Sequence, residues 1–216
     1  MFGYEPVQPE WIERRILWLL KTLEKRDASF RTRQNGTFLD PRDLYMLLQR
    51  NDLTAALPVV ASRYGIDPSR VSWEYADELS GCNTIAQVVS TPGGPILVDL
   101  HRHLRFEAIN LGAALAHELG HAYLTDLNIV SGGTWMAEAT TDLLTLVSGL
   151  GKVTVNSVGN LNLGGAAGTP CMGYLNREAL VFAYALACDE LGISPEMQEV
   201  GLTSEASSYL KTVRGR

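Results

Sequence analysis

One short segment, AHELGH at residues 116–121, restricts the fold of this 216-residue chain more than any other feature. Residues four apart share a face of an α-helix, so a helix here brings the imidazoles of His117 and His121 together, with the carboxylate of Glu118 beside them. Two imidazoles one turn apart are a typical pair of zinc ligands, and the neighbouring carboxylate can act as a base. The segment therefore predicts a helix that carries most of a zinc site.

The residues around this segment predict that the helix is buried. Its apolar positions are Ile109, Leu111, Ala113, Ala114, Leu115, Ala116, Leu119, Ala122, Tyr123 and Leu124. Burying an ionised side chain without a partner is costly, so two histidines and a glutamate in such a helix need an explanation. Histidines that only form core hydrogen bonds are the alternative, but that would leave Glu118 unexplained.

A catalytic zinc site needs a third protein ligand and keeps one position open. Residues 134–147 have helical spacing, and Glu138 and Asp142 lie four apart on one face of that helix. The other residues on this face are apolar, so both carboxylates are expected to point inward, where an ionised group needs a cation or hydrogen-bond donors. We assign Glu138 to the metal, and Asp142 to the outer ring N–H of one histidine. The alternative is that both are ordinary solvated residues.

HExxH followed by a helix that carries ExxxD resembles the gluzincin group of zinc metallopeptidases, in the thermolysin-like arrangement. The resemblance is close over residues 116–142 and implies that His117, His121 and Glu138 bind Zn²⁺, with Glu118 as general base and Asp142 behind a histidine. It also implies that the strands at 85–101 bind an extended substrate. A weaker resemblance, through Arg105-Phe106 ahead of the motif, is to small repressor-cleaving bacterial metallopeptidases.

The chain departs from the gluzincin pattern because no histidine follows His121. The family's downstream histidine, which steadies the transition state, therefore has no counterpart. Tyr174 is the leading candidate for the missing oxyanion donor, ahead of Tyr123. Cys171 is a further residue that could reach the metal and block it. His101 and His103 either line the cleft or are exposed loop residues.

Composition limits the class of protein. At 46% hydrophobic residues the chain can bury a full core, and no apolar run approaches the roughly 20 residues of a membrane span. The first residues, 1–6, lack the basic region and the apolar region that are typical of a signal peptide. Three cysteines without dense spacing suit a reducing compartment, so we expect a cytoplasmic protein. The net charge is −6, and residues 71–216 hold 7 Lys and Arg against 15 Asp and Glu. This acidic half makes nucleic acid an unsuitable partner.

Periodicity predicts an α+β fold in one domain, with a helical part at 1–65 and a catalytic part at 66–216. We expect a zincin-like, small antiparallel or mixed sheet on the HExxH helix, flanked by mainly helical terminal parts. The predicted elements are helices at 9–25, from Pro41, at 53–64, 177–191 and 203–213, strands at 71–75 and within 84–90 and 95–100, and loops at 28–40 and 156–173.

The apolar stripe of the first helix either covers the chain's own core or contacts a partner protein. The function expected from the motif is zinc-dependent hydrolysis of peptide bonds in a peptide or protein substrate, with Glu118 passing a proton to the leaving amine. Two alternatives stay open. One is a zinc hydrolase of small amides or esters, and the other is a regulatory or binding protein with a zincin-like fold.

Overall fold

The computed structural model describes residues 8–34, 38–79, 85–129, 134–157 and 175–215, and their fold is mixed α+β. The helices are α1 (Pro9–Arg26), α2 (Phe30–Gln34), α3 (Pro41–Gln49), α4 (Leu53–Tyr64), α5 (Ala108–Asp126), α6 (Thr134–Thr145), α7 (Gly151–Ser157), α8 (Arg177–Glu190), α9 (Pro195–Glu199) and α10 (Ser204–Arg214). The strands are β1 (Val71–Ala76), β2 (Ala86–Ser90) and β3 (Ile96–His101). None of the helices in these ranges combines the length and apolar character needed to cross a membrane.

The three strands form one mixed sheet in the order β1-β3-β2. β2 and β3 are antiparallel, as the predicted hairpin requires, whereas β1 runs parallel to β3. The side chains of Ile96, Val98 and Leu100 alternate along β3, so they share one face, and all three are buried. Both β2 and β3 pack against α5, so the sheet lies directly on the helix that carries the HExxH motif.

The apolar stripe of α1 lies inside the protein, against α6 and α8. Its buried members are Ile12, Ile16, Leu19, Leu20 and Leu23. They belong to the same hydrophobic cluster as the buried residues of α5, α6 and α8. The helix therefore covers the core of its own chain.

Local signals at the helix ends are confirmed by the structure. The side chain of Asp40 accepts a hydrogen bond from the backbone N–H of Arg42 and caps α3. α4 ends where Gly65 adopts φ +67°, a left-handed conformation that glycine enters without steric cost. Asn176 caps α8 by accepting from the backbone N–H of Ala179.

Three segments differ from the prediction. The predicted loop at 28–40 contains α2, which forms because Phe30 is fully buried in the core. The loop expected at 156–173 begins too early, since Asn156 and Ser157 still belong to α7, and residues 158–174 lie outside the described ranges. The short α9 was not predicted. It begins at Pro195, and proline is favourable in the first turn of a helix.

The helix pair α5–α6 packs closely at one glycine of the motif. A Cβ atom at Gly120 would lie 3.0 Å from Cγ2 of Thr141 and 3.3 Å from the hydroxyl oxygen of Tyr64. The missing side chain at Gly120 therefore lets α6 approach the histidines of α5. The Tyr64 hydroxyl also donates to the backbone carbonyl of Ala116, at 2.7 Å, and ties α4 to the same turn.

Candidate metal centre

Three donor atoms from α5 and α6 meet in a small triangle. His117 Nε2 lies 2.9 Å from Glu138 Oε2 and 3.0 Å from His121 Nε2, and the third side, His121 Nε2 to Glu138 Oε2, is 3.2 Å. These are the three side chains that the sequence predicted as ligands. The group could hold a metal ion, because each member offers one ligand atom toward a common centre.

The secondary structure explains why these side chains meet. His117 and His121 are one turn apart on α5, and their rings cross at 77° with centroids 4.8 Å apart. α6 crosses this turn and supplies Glu138 from its first half. A site made by two helices that share a hydrophobic core is held in place by the packing of that core.

Asp142, one helical turn after Glu138, contacts His117 at the ring nitrogen that points away from Glu138. Its Oδ1 lies 3.0 Å from Nδ1 of His117, and its Oδ2 accepts a hydrogen bond from the backbone N–H of Leu175 at 3.2 Å. An ionised carboxylate can only accept, so Nδ1 of His117 carries the proton and Nε2 faces the centre. The predicted position of Asp142 behind a histidine is therefore observed, and the histidine is His117.

The electrostatics of this group favour positive charge. Burial alone would lower the pKa of His117, but the carboxylates of Asp142 and Glu138 outweigh burial and raise that pKa well above its usual value. Burial opposes ionisation of Glu138, yet hydrogen bonds with His117 and His121 hold the pKa of this carboxyl far below its usual range. Two carboxylates facing two imidazoles thus make a position that suits a cation.

Glu118 follows the first histidine on α5 and is 8% exposed. Burial raises the pKa of its carboxyl, while the nearby imidazoles of His117 and His121 act in the opposite direction. Buried carboxyls with a raised pKa are common among residues that take up and release protons, and this one lies beside the group that could hold a metal ion.

Three of the other candidates, Tyr123, His101 and His103, are among the described residues. Tyr174 and Cys171 fall outside the described residues. The Tyr123 hydroxyl donates to Asp27 at 2.6 Å, so this side chain is engaged in a separate polar cluster. The rings of His101 and His103 stack on each other at the end of β3, 4.9 Å between centroids. Neither histidine belongs to the group of described residues that could hold a metal ion.

The sequence interpretation missed one residue of the site. Thr141 of α6 is fully buried, and its hydroxyl oxygen lies 3.2 Å from Nδ1 of His121. The available signal was its helical position, three residues after Glu138 and therefore on the side of α6 that faces α5.

No protein-family model, curated protein or solved structure matches the chain. No relative therefore bears on the metal or the reaction, and the geometry of the group formed by His117, His121 and Glu138 is the basis for the function proposed next.

Proposed function

We propose that this protein is a zinc-dependent peptidase with a zincin-like fold of the gluzincin type. The observation that carries the proposal is the triangle formed by Nε2 of His117, Nε2 of His121 and Oε2 of Glu138, with buried Glu118 on the same helix. A sheet that precedes and packs on the HExxH helix supports the same class of fold.

The donor set fits zinc. A tetrahedral zinc ion with bonds of about 2.0–2.1 Å to its ligands has edges of about 3.3 Å between them. The observed edges of 2.9, 3.0 and 3.2 Å are close to that value. Two imidazoles and one carboxylate are also a set typical of catalytic zinc, which keeps a fourth position open, whereas structural sites usually close it with Cys or His.

Glu118 and Asp142 have separate roles in the proposed hydrolysis. Zinc, when bound, would lower the pKa of a water molecule and polarise a substrate carbonyl. The Glu118 carboxylate takes up the proton that the water loses as its oxygen attacks the carbonyl carbon. Glu118 then delivers that proton to the amide nitrogen as the C–N bond breaks, which releases the amine. Asp142 keeps the proton of His117 on Nδ1, which leaves Nε2 free to act as a ligand.

An edge strand beside the HExxH helix favours a peptide over a small metabolite. Among the described strands β2 lies at one end of the sheet order and pairs with β3, and it packs on α5. Extended peptides bind such edges by main-chain hydrogen bonds. The acidic charge of residues 71–216 disfavours nucleic acid as a substrate.

The test combines zinc analysis with peptide cleavage. We expect purified protein to contain about one zinc per chain and to cleave members of a peptide library detected by mass spectrometry. A chelator should abolish cleavage, and added Zn²⁺ should restore it. Activity on small amides or esters without peptide cleavage would replace the peptidase by the small-molecule hydrolase, and bound zinc with no hydrolysis of either class would favour a binding protein.

Replacing Asp142 with Asn is expected to weaken zinc binding about 10- to 100-fold, the usual effect of removing a carboxylate behind a metal-binding histidine. The amide keeps the shape of the side chain but loses the charge that holds the Nδ1–H of His117. The affinity is measured by competition with a chromophoric chelator. Asp43→Asn, at an exposed position of α3, is the control. An Asp142→Asn protein with the affinity of the control would contradict the assigned role.

A further inference from the structure

The two histidines of the candidate metal centre have different partners behind them. The outer nitrogen of His117 meets a carboxylate, Asp142, whereas the outer nitrogen of His121 meets a neutral hydroxyl, Thr141, at 3.2 Å. Asp142 and Thr141 are neighbours in sequence on α6. One segment of a single helix therefore contacts both imidazoles from the side opposite to their shared centre.

The protons of this contact can be assigned from the acceptors. The hydroxyl of Thr141 has one proton and lies 3.0 Å from the backbone carbonyl of Ala137, which can only accept. Because the hydroxyl proton is donated to that carbonyl, the hydroxyl oxygen accepts from Nδ1–H of His121. His121 then carries its proton on Nδ1, and the lone pair of Nε2 faces His117 and Glu138.

We propose that Thr141 is a positioning residue that fixes His121 in the metal-binding tautomer and orientation; this role rests on the zinc site of the proposed function. The opposite tautomer would place a proton on Nε2 and remove a ligand. A hydroxyl can both donate and accept, and because the Thr141 hydroxyl donates its proton to the backbone carbonyl of Ala137, its oxygen is left as an acceptor for the ring. Partners of this kind set which ring nitrogen binds the metal.

The position of Thr141 is fixed by close packing. Its Cγ2 lies 3.0 Å from where a Cβ of Gly120 would be, so the Thr141 side chain fills the space that this glycine leaves open. Thr141 is fully buried, so its hydroxyl contacts the His121 ring from inside the protein, whereas the His121 side chain as a whole is partly exposed. Removing the hydroxyl takes away the protein acceptor of the His121 Nδ1–H. The tautomer of His121 that binds metal through Nε2 then loses the free energy of this hydrogen bond.

The experiment compares three variants of the full chain. Thr141→Val keeps the β-branched shape and removes the hydroxyl, and Thr141→Ser restores the hydroxyl. Thr145→Val is the matched control: Thr145 is on the same helix and is fully buried, but its hydroxyl donates to the backbone carbonyl of Asp142 at 2.7 Å. Zinc affinity is measured by chelator competition, and ¹⁵N NMR of the zinc-loaded protein follows the Nδ1–H of His121.

Thr141→Val is expected to bind zinc about 10-fold more weakly, the lower end of the usual effect of such partners. Its His121 Nδ1–H should exchange faster with solvent, while Thr141→Ser and Thr145→Val stay close to the wild type. Equal zinc affinity of Thr141→Val and wild type, or an equal loss in Thr145→Val, would overturn the role of Thr141 and leave the peptidase intact. Tight zinc binding without peptide cleavage would overturn the peptidase and leave the role of Thr141 in place.

Discussion

Replacing Glu118 with Gln is expected to leave zinc bound and to lower the rate of peptide hydrolysis at least about 100-fold. The amide has nearly the same size as the carboxylate, so the packing of α5 is kept, but it cannot take up a proton. General bases contribute about 10²- to 10⁴-fold to such reactions, which sets the expected loss. Glu118 supplies none of the three donor atoms that meet at the centre, so the metal content should stay the same.

The measurement for this variant pairs metal analysis with turnover. Zinc per chain is determined for wild type and Glu118→Gln, and kcat is measured on a peptide that the wild type cleaves. Glu190→Gln, at an exposed position near the end of α8, is the control for a neutralised glutamate remote from the centre. Turnover of Glu118→Gln within a few-fold of that control would show that another group moves the proton.

The meeting of His117, His121 and Glu138 could be predicted from the sequence because residues a fixed number apart on a helix share one face. His117 and His121 are four apart, and so are Glu138 and Asp142, which places each pair on one helix face. The spacing of residues in the sequence does not determine how two helices pack against each other. The contact between Thr141 and His121 depends on the approach of α6 to α5 at Gly120, which only the tertiary structure shows.

For a similar reason, local features of the fold were predicted correctly, whereas features that depend on distant contacts were not. Helix caps such as Asp40 are local, and the structure confirms them. The parallel pairing of β1 with β3 joins strands that are separated in sequence by β2, so no turn signal could indicate it. α2 was missed because its sequence is polar except for Phe30, whose burial is a property of the assembled core.

The prediction for Glu138 tests the whole arrangement, because this carboxylate is the only donor of the triangle that comes from α6. Glu138→Ala is expected to weaken zinc binding by more than about 100-fold, beyond the 10- to 100-fold usual for partners behind the ligands. A catalytic site with three protein ligands that loses one of them retains only the imidazole pair. Peptide cleavage should be lost with the metal and should return in part at high Zn²⁺.

Folding must be separated from metal binding in this variant. The Glu138 side chain is 25% exposed and therefore mostly buried, so the folding of the variant has to be checked directly. The circular dichroism spectrum of the metal-free variant is expected to match that of the metal-free wild type. Glu178→Ala, in the exposed first turn of α8, is the matched control. If Glu138→Ala keeps the zinc affinity of Glu178→Ala, the third ligand is another residue, and the triangle observed between α5 and α6 does not define the metal centre.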